Sequence, residues 1–173
     1  MQGKIILNLA ISLDGYIAAE NGDFDWIVGD GDNSLNTDET LDFEKFMNTI
    51  DIVVMGSQCF RQGFVKDFAT KKILVATREE KKTDGNIEFI RGDIASILEL
   101  EKQKGKNIYL FGGGILIDPL IKANVIDEYI IGIIPTILGT GKRLFLDNNP
   151  NLLLHLDKYT IEDGIPILYY SKR

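Results

Sequence analysis

The chain has 173 residues, with 26 acidic against 19 basic side chains and a net charge of −7, which lacks the broad basic surface that nucleic-acid binding requires. A single cysteine, Cys59, and a single histidine, His155, exclude an internal disulfide, a cysteine-cluster zinc site and paired-histidine metal motifs, and argue against a serine–histidine triad. A hydrophobic fraction of 45% over this length suits one domain, residues 1–173, with a sizeable core.

In chain order, Lys4 to Ile11 reads as a first strand, Asp14-Gly15 as a turn and Tyr16-Ile17-Ala18 as a short extended piece. Glu20 to Asn36 is loop-like, a length that usually marks a functional or mobile segment. Asn36 and Glu39 have capping-box spacing, and Phe43, Phe46, Met47 and Ile50 follow at helical intervals. Asp51 to Met55 predicts a buried strand, Ser57 to Phe64 a short helix, and Lys72 to Ala76 and Ile87 to Ile90 two further strands. Asp93 caps a helix carrying Ile94, Ile97 and Leu98, which Gly105 ends. Ile108 begins a short apolar strand that runs into Gly112-Gly113-Gly114, and Ile115 to Ala123 reads as a helix in which Pro119 is tolerable only within the first turn. Tyr129 to Pro135 is a long apolar strand; Gly139 to Leu146 holds a turn and a short strand. Leu152 to Thr160 and Ile165 to Ser171 close the chain as two strands around Asp163-Gly164. No repeat and no low-complexity tract interrupts this order, no apolar run reaches membrane-spanning length, and the N-terminus shows no signal pattern. The expectation is a cytoplasmic protein with no membrane or nucleic-acid partner and no metal.

Strands alternating with helices, then strands alone, predict an α/β fold with a mixed, mainly parallel sheet and antiparallel C-terminal strands. Ligands of such sheets sit beyond the carboxyl ends of the parallel strands, where Gly56, Thr77 and Gly112 fall. Three residues without a Cβ let the backbone take positive φ and approach a ligand closely, and the helix that follows directs unpaired N–H groups to the same spot, which suits a phosphate. A tight strand-to-helix turn with no ligand is the plain alternative.

Four blocks carry a resemblance to a known family: Ser12-Leu13-Asp14-Gly15-Tyr16-Ile17-Ala18; Val54-Met55-Gly56-Ser57; Phe111-Gly112-Gly113-Gly114; and Asp127-Glu128-Tyr129 followed by Pro135-Thr136-Ile137-Leu138-Gly139-Thr140-Gly141 and Leu144-Phe145. Together they resemble the dihydrofolate reductase superfamily. The closer likeness is to the C-terminal reductase domain of the bacterial riboflavin biosynthesis protein RibD and its stand-alone relatives. The resemblance implies a dihydrofolate-reductase-like, three-layer α-β-α fold and a nicotinamide-dependent reductase of a small heterocyclic substrate. Its activity would be most like the reduction of 5-amino-6-(5-phosphoribosylamino)uracil, with a pterin-type reductase or a catalytically silent nucleotide-binding protein as alternatives. It also implies a homodimer formed through sheet edges; Tyr129 to Leu138 supplies either such an edge or core.

The cofactor implied is NADPH, with NADH left open. Gly112, Gly113 and Gly114 approach the diphosphate, with Ile115 and Leu116 beginning the helix behind them, and Gly56 begins a second helix. Relatives carry arginine directly after that glycine, where it binds the 2′-phosphate; here the residue is Ser57, and a hydroxyl recognises phosphate less well than a guanidinium. Thr77-Arg78 at the next strand end offers the missing charge, ahead of Arg61.

Hydride transfer asks the protein for orientation and a proton source. Asp42 is the leading acid, because Asp42 to Phe46 resembles the helix that carries the acid in folate-reducing members, and Asp42 and Phe46 share a helical side. A favourable first-turn charge is its structural alternative. Glu128 matches an acidic position near the substrate in riboflavin-pathway relatives, or simply starts a strand. Trp26 lies in the stretch that matches the mobile substrate loop, and either stacks on a heterocycle or covers the core. Asp14 faces the cleft or serves as a turn residue before glycine. The sequence shows no evident cation cluster for a phosphoribosyl group. Cys59 and His155 read as structural.

Overall fold

The structure is a computed structural model that describes residues 2–173. Ten strands and four helices follow one another as β1 (Ile5–Ser12), β2 (Tyr16–Ala18), α1 (Phe43–Asn48), β3 (Ile52–Gly56), α2 (Ser57–Arg61), a 3-10 turn (Phe64–Phe68), β4 (Lys72–Ala76), β5 (Ile87–Ile90), α3 (Ile94–Gln103), β6 (Ile108–Gly112), α4 (Gly114–Lys122), β7 (Glu128–Ile134), β8 (Lys142–Arg143), β9 (Leu154–Glu162) and β10 (Ile165–Lys172).

Eight strands form one sheet in the order β5-β4-β3-β6-β1-β7-β10-β9, and β10 alone runs against the rest. The inner strands are apolar on both sides because both faces are covered. Ile5, Leu7, Ile52, Val54, Leu74, Ile108 and Leu110 point to one face, where α3 and α4 bring Leu98, Leu116, Ile117 and Leu120. Ile6, Val53, Met55, Ile73, Val75 and Tyr109 point to the other, against Phe46 and Met47 of α1, Phe60 of α2 and Phe68 of the 3-10 turn. Each fully buried Leu or Ile contributes about 1.5–3 kcal/mol. The result is the predicted three-layer α-β-α arrangement.

Two expectations need correction. The helix after the long loop starts at Asp42, not Asn36: the Asp42 carboxylate accepts the Lys45 N–H at 2.8 Å, whereas Asn36 spends its side chain on the Asp163 N–H at 2.9 Å. Pro119 lies mid-helix in α4. The bond it forfeits belongs to the carbonyl of Ile115, a first-turn residue that is itself 80% exposed. Of the two readings of Tyr129 to Leu138, edge or core, residues 129–134 take the core, since β7 is hydrogen-bonded to β1 on one side and β10 on the other; the edges are β5 and β9.

The loop expected over Glu20 to Asn36 extends over 19–42, which contains no helix or strand, and it is tied down. The Asp30 N–H donates to the Asp163 carbonyl, the Gly31 N–H to the Asp163 carboxylate, and Thr37 exchanges two bonds with Ile161, so the loop is held on the β9–β10 turn. Among the described residues no helix is long and apolar enough to cross a membrane, and no metal-binding group of His, Cys, Asp and Glu occurs.

Candidate active site

β3, β4, β6 and β1 all end on the same edge of the sheet, which gathers Gly56, Thr77, Gly112 and Ser12 there. At the end of β6 the chain turns through Gly112 and Gly113, at φ 150° and 93°, values that side-chain-bearing residues rarely adopt. A Cβ added at either would meet nothing within 4 Å, so the turn opens outward. At Gly114 a Cβ would sit 2.7 Å from the Arg143 carbonyl, so that glycine lets α4 and β8 pack backbone to backbone. Gly113 caps α4 without any side-chain bond, leaving the first-turn amides of Gly114 and Ile115 available. Gly56 lies beside this turn, with its Cβ position 3.8 Å from the Gly112 carbonyl, and Ser57 opens α2. The open turn, the uncapped nine-residue helix and the adjoining glycine fit a diphosphate.

Two cations that sequence reasoning passed over face this edge. A Cβ placed on Gly22 would lie 3.4 Å from the Lys142 Nζ, 3.6 Å from the Gln58 Nε2 and 3.7 Å from the Gln62 Nε2, so three donors converge where the long loop meets α2. Arg143 packs its guanidinium 5.7 Å from the Tyr16 ring centre. Neither Lys142 nor Arg143 has a carboxylate within 4 Å among the described residues. The signal was present in the sequence: no Asp or Glu occurs between Glu128 and Asp147, so this pair is unopposed locally.

The family model of the RibD C-terminal domain matches residues 3–165. The chain belongs to the RibD C-terminal domain family. It is 31% identical to the uncharacterised Bacillus subtilis (strain 168) protein YyaP over 98% of this chain and 95% of that one. It is 34% identical to YwjB of the same organism, over 89% and 90%. Among solved structures it is similar to a Shewanella sp. PV-4 protein named for riboflavin biosynthesis, at 25% identity, TM-score 0.80, and 100% and 99% coverage. Two further structures share the fold. One is a Thermotoga maritima deaminase/5-amino-6-(5-phosphoribosylamino)uracil reductase, with 16% identity, TM-score 0.72, and coverage of 99% of this chain and 57% of that one. The other is an Enterococcus faecalis dihydrofolate reductase complexed with NADP(H), with 15% identity, TM-score 0.67, and 100% and 98% coverage. The fold is thus dihydrofolate-reductase-like.

Within this family member, the remaining residues fall as follows. Thr77 follows β4 and accepts the Glu79 N–H through its Oγ1 at 3.1 Å; Arg78 beside it is exposed, with no carboxylate within 4 Å among the described residues. Ile115 is exposed in the first turn of α4, while Leu116 is buried in the core behind it. Asp42 caps α1 from an exposed position, and Phe46 packs edge-on against Tyr109 at 5.2 Å. Trp26 is half-buried in the loop, its Nε1 donating to the Asp23 carbonyl at 3.2 Å.

Asp14 sits at this edge too, but its carboxylate is already engaged. It accepts the Ser12 hydroxyl at 2.6 Å and the N–H groups of Leu138 and Gly139 at 3.1 and 2.8 Å. These bonds, Ser12 first, hold its carboxyl below the usual value.

Glu128 is not brought to the site. It opens β7 opposite Ile6 and is paired with Lys4, while the site lies beyond Ile134, where β7 ends opposite Ser12. Six residues of extended chain put about 20 Å between the two ends. A concavity lined by Glu128, Ile130, Lys158 and Tyr169 opens at that far end, with Lys158 lying 4.6 Å over the Tyr169 ring.

Cys59 is partly buried on α2, and burial pushes its thiol up, which leaves it a packed and unreactive group. His155 is exposed on β9, 3.9 Å from Asp157.

Proposed function

We propose that this protein is an NADPH-dependent reductase of a small nitrogen heterocycle or its ribose-derived adduct. Its activity is most like reduction of 5-amino-6-(5-phosphoribosylamino)uracil, the reaction for which the Thermotoga maritima protein of the same fold is named. The observation that carries this reading is the open Gly112-Gly113 turn leading into uncapped α4 at the central strands of a parallel sheet. Bound NADPH supplies the hydride.

The chain's own residues do the rest. The amides of Gly113, Gly114 and Ile115 and the Lys142 ammonium hold the diphosphate, and Arg78, Ser57 and Thr77 meet the adenosine end. Leu116 anchors α4 so that those amides stay in place. Asp42, directly or through an ordered water, supplies the proton that balances the arriving hydride, and Phe46 and Trp26 give the heterocycle apolar cover. We further propose a cytoplasmic homodimer.

The pairing of Asp42 with Phe46 one turn later favours a second reading, a pterin or dihydrofolate-type reductase. Thermal-shift titration with NADPH and NADH, followed by cofactor oxidation in the presence of dihydropterins and ribosylated aminopyrimidines, tests both. Oxidation with a pyrimidine supports the first reading, and oxidation with a pterin the second. A shift without oxidation leaves a silent nucleotide-binding protein. No shift with either nucleotide overturns all three.

A further inference from the structure

Three neighbouring strands end level with one another at the carboxyl edge. Gly56 of β3 pairs with Ala76 of β4, and Ala76 pairs with Ile90 of β5. Ser57, Thr77 and Arg91 are therefore the first residues past three adjacent strand ends, which lie about 4.8 Å apart from one strand to the next. The Thr77 N–H donates to the Ile90 carbonyl at 3.0 Å and carries the pairing one residue beyond the strands. This bond holds Arg91 beside Thr77-Arg78. The Arg91 guanidinium leans across the end of β4, its Nη2 lying 3.7 Å from the Glu80 carboxylate.

Most of the other charged groups at this corner are committed elsewhere. Lys81 pairs with Glu79 at 3.1 Å and lies over the Phe60 and Phe89 rings, and the Asp93 carboxylate accepts the N–H and the hydroxyl of Ser96. Arg78 and Arg91 are both exposed, and among the described residues Glu80 is the one carboxylate within 4 Å of either. A 3.7 Å pair between side chains that are 60% and 85% exposed is weak and easily exchanged. Two guanidiniums on adjacent strand ends suit a phosphate monoester, whose charged oxygens accept forked N–H pairs, far better than a neutral ribose hydroxyl. Resting on the reductase reading above, we propose that Arg91 joins Arg78 in a two-arginine clamp for the 2′-phosphate of NADPH, and that Glu80 is the clamp's internal counter-ion. Ser57 stands at the third strand end of the same row, so the clamp supplies from β4 and β5 the charge that the end of β3 lacks. The phosphate displaces Glu80 from Arg91. That exchange costs NADPH some affinity and costs NADH none, because a 2′-hydroxyl does not compete for the guanidinium.

Isothermal titration of NADPH and NADH into wild type, R91A, R78A/R91A and E80Q tests the clamp, with melting temperature as the check on folding. R91A is expected to weaken NADPH at least about tenfold, the worth of a charge-assisted hydrogen bond, and to leave NADH unchanged. The double variant should bring the two cofactors level. E80Q should act in the opposite sense, tightening NADPH by about twofold to fivefold with NADH unchanged, an outcome that a damaged fold does not mimic. E80Q also reads the clamp if R91A does not fold. An NADPH-to-NADH affinity ratio that R91A leaves unchanged overturns the proposal, as does an E80Q variant that fails to raise it, or a wild type that binds the two cofactors equally. Failure of wild type to bind either cofactor is a separate result, seen without any variant, and overturns the reductase reading together with this proposal.

Discussion

The Asp14 carboxylate accepts the Gly139 main-chain N–H at 2.8 Å across 125 positions of sequence. With its second bond, to Leu138, it pins the loop after β7 to the turn after β1. The next residues of that loop lead to Lys142 and Arg143, which pair in β8 with Ala18 and Tyr16. One carboxylate thereby sets where two cations stand.

That tie makes a pH prediction. Because the folded-state carboxyl is held below its ordinary 3.8, Asp14 contributes stability above that value and loses it as the pH falls through the depressed value. Asp14→Asn is expected to lower the urea midpoint near neutrality, and the gap from wild type should close at pH well under 3.8. A gap that stays constant with pH means the carboxylate charge is not what holds the loop.

Gly113→Ala forces a side-chain-bearing residue to φ 93° and puts a methyl group into the open turn. The strain costs about 1–3 kcal/mol, and nucleotide affinity should fall at least about tenfold because the cradle depends on close backbone approach. Gly105→Ala, at φ 81° after α3, is the control: comparable destabilisation in a denaturant melt, with nucleotide affinity unchanged in a titration.

Lys142→Ala should weaken NADPH and NADH alike, by about tenfold at low ionic strength and less in high salt, since it acts on the diphosphate they share. Its melting temperature should stay near wild type because no carboxylate partner is lost. Arg78→Ala should instead lower the ratio of NADPH to NADH affinity. Isothermal titration with both cofactors separates the two residues, and an unchanged ratio in Arg78→Ala removes that arginine from 2′-phosphate recognition.

Asp42→Asn keeps a good helix cap but removes the acid. Turnover should fall by about a hundredfold or more, the usual worth of general acid catalysis, with NADPH affinity intact. Glu128→Gln should leave kcat unchanged and cost at most about 1 kcal/mol, because it breaks only a solvent-exposed pair with Lys4 at the far end of β7. Steady-state kinetics on the two variants checks both outcomes.

Asp127→Ala should destabilise the fold by about 3 kcal/mol without changing nucleotide affinity. Its carboxylate accepts from Lys102 at 2.9 Å and from the Ile5 N–H at 2.9 Å, so its removal leaves the largely buried Lys102 with Glu99 alone and frees the first amide of β1. Guanidinium melts measure the loss.

Most of the sheet was legible because the signals are local. β4 and β5 were predicted at Lys72–Ala76 and Ile87–Ile90, where they stand, since short apolar runs bounded by loops have few alternatives. The cap of α3 at Asp93 was equally plain. The cap of α1 was not: Asn36 has the right spacing, but the β9–β10 turn takes its side chain, a contact 127 positions away that no local pattern carries. Lys142 went unread because its neighbours Gln58 and Gly22 are close only after the loop folds over α2. Arg91 went unread for the same kind of reason, since only the pairing of β5 with β4 brings it beside Thr77-Arg78.

Composition, periodicity and missing side chains sufficed for the elements, the mainly parallel sheet and the glycine-rich strand end, because each is a property of a few adjacent residues. Tertiary structure alone decided which chemistry shares that end. The direction of β7 carries Glu128 away from it, and the register of β1 against β7 brings Ser12 level with Ile134, so that Asp14 can reach Leu138 and Gly139. Strand direction and register arise from packing across the whole sheet, and no stretch of sequence holds them by itself.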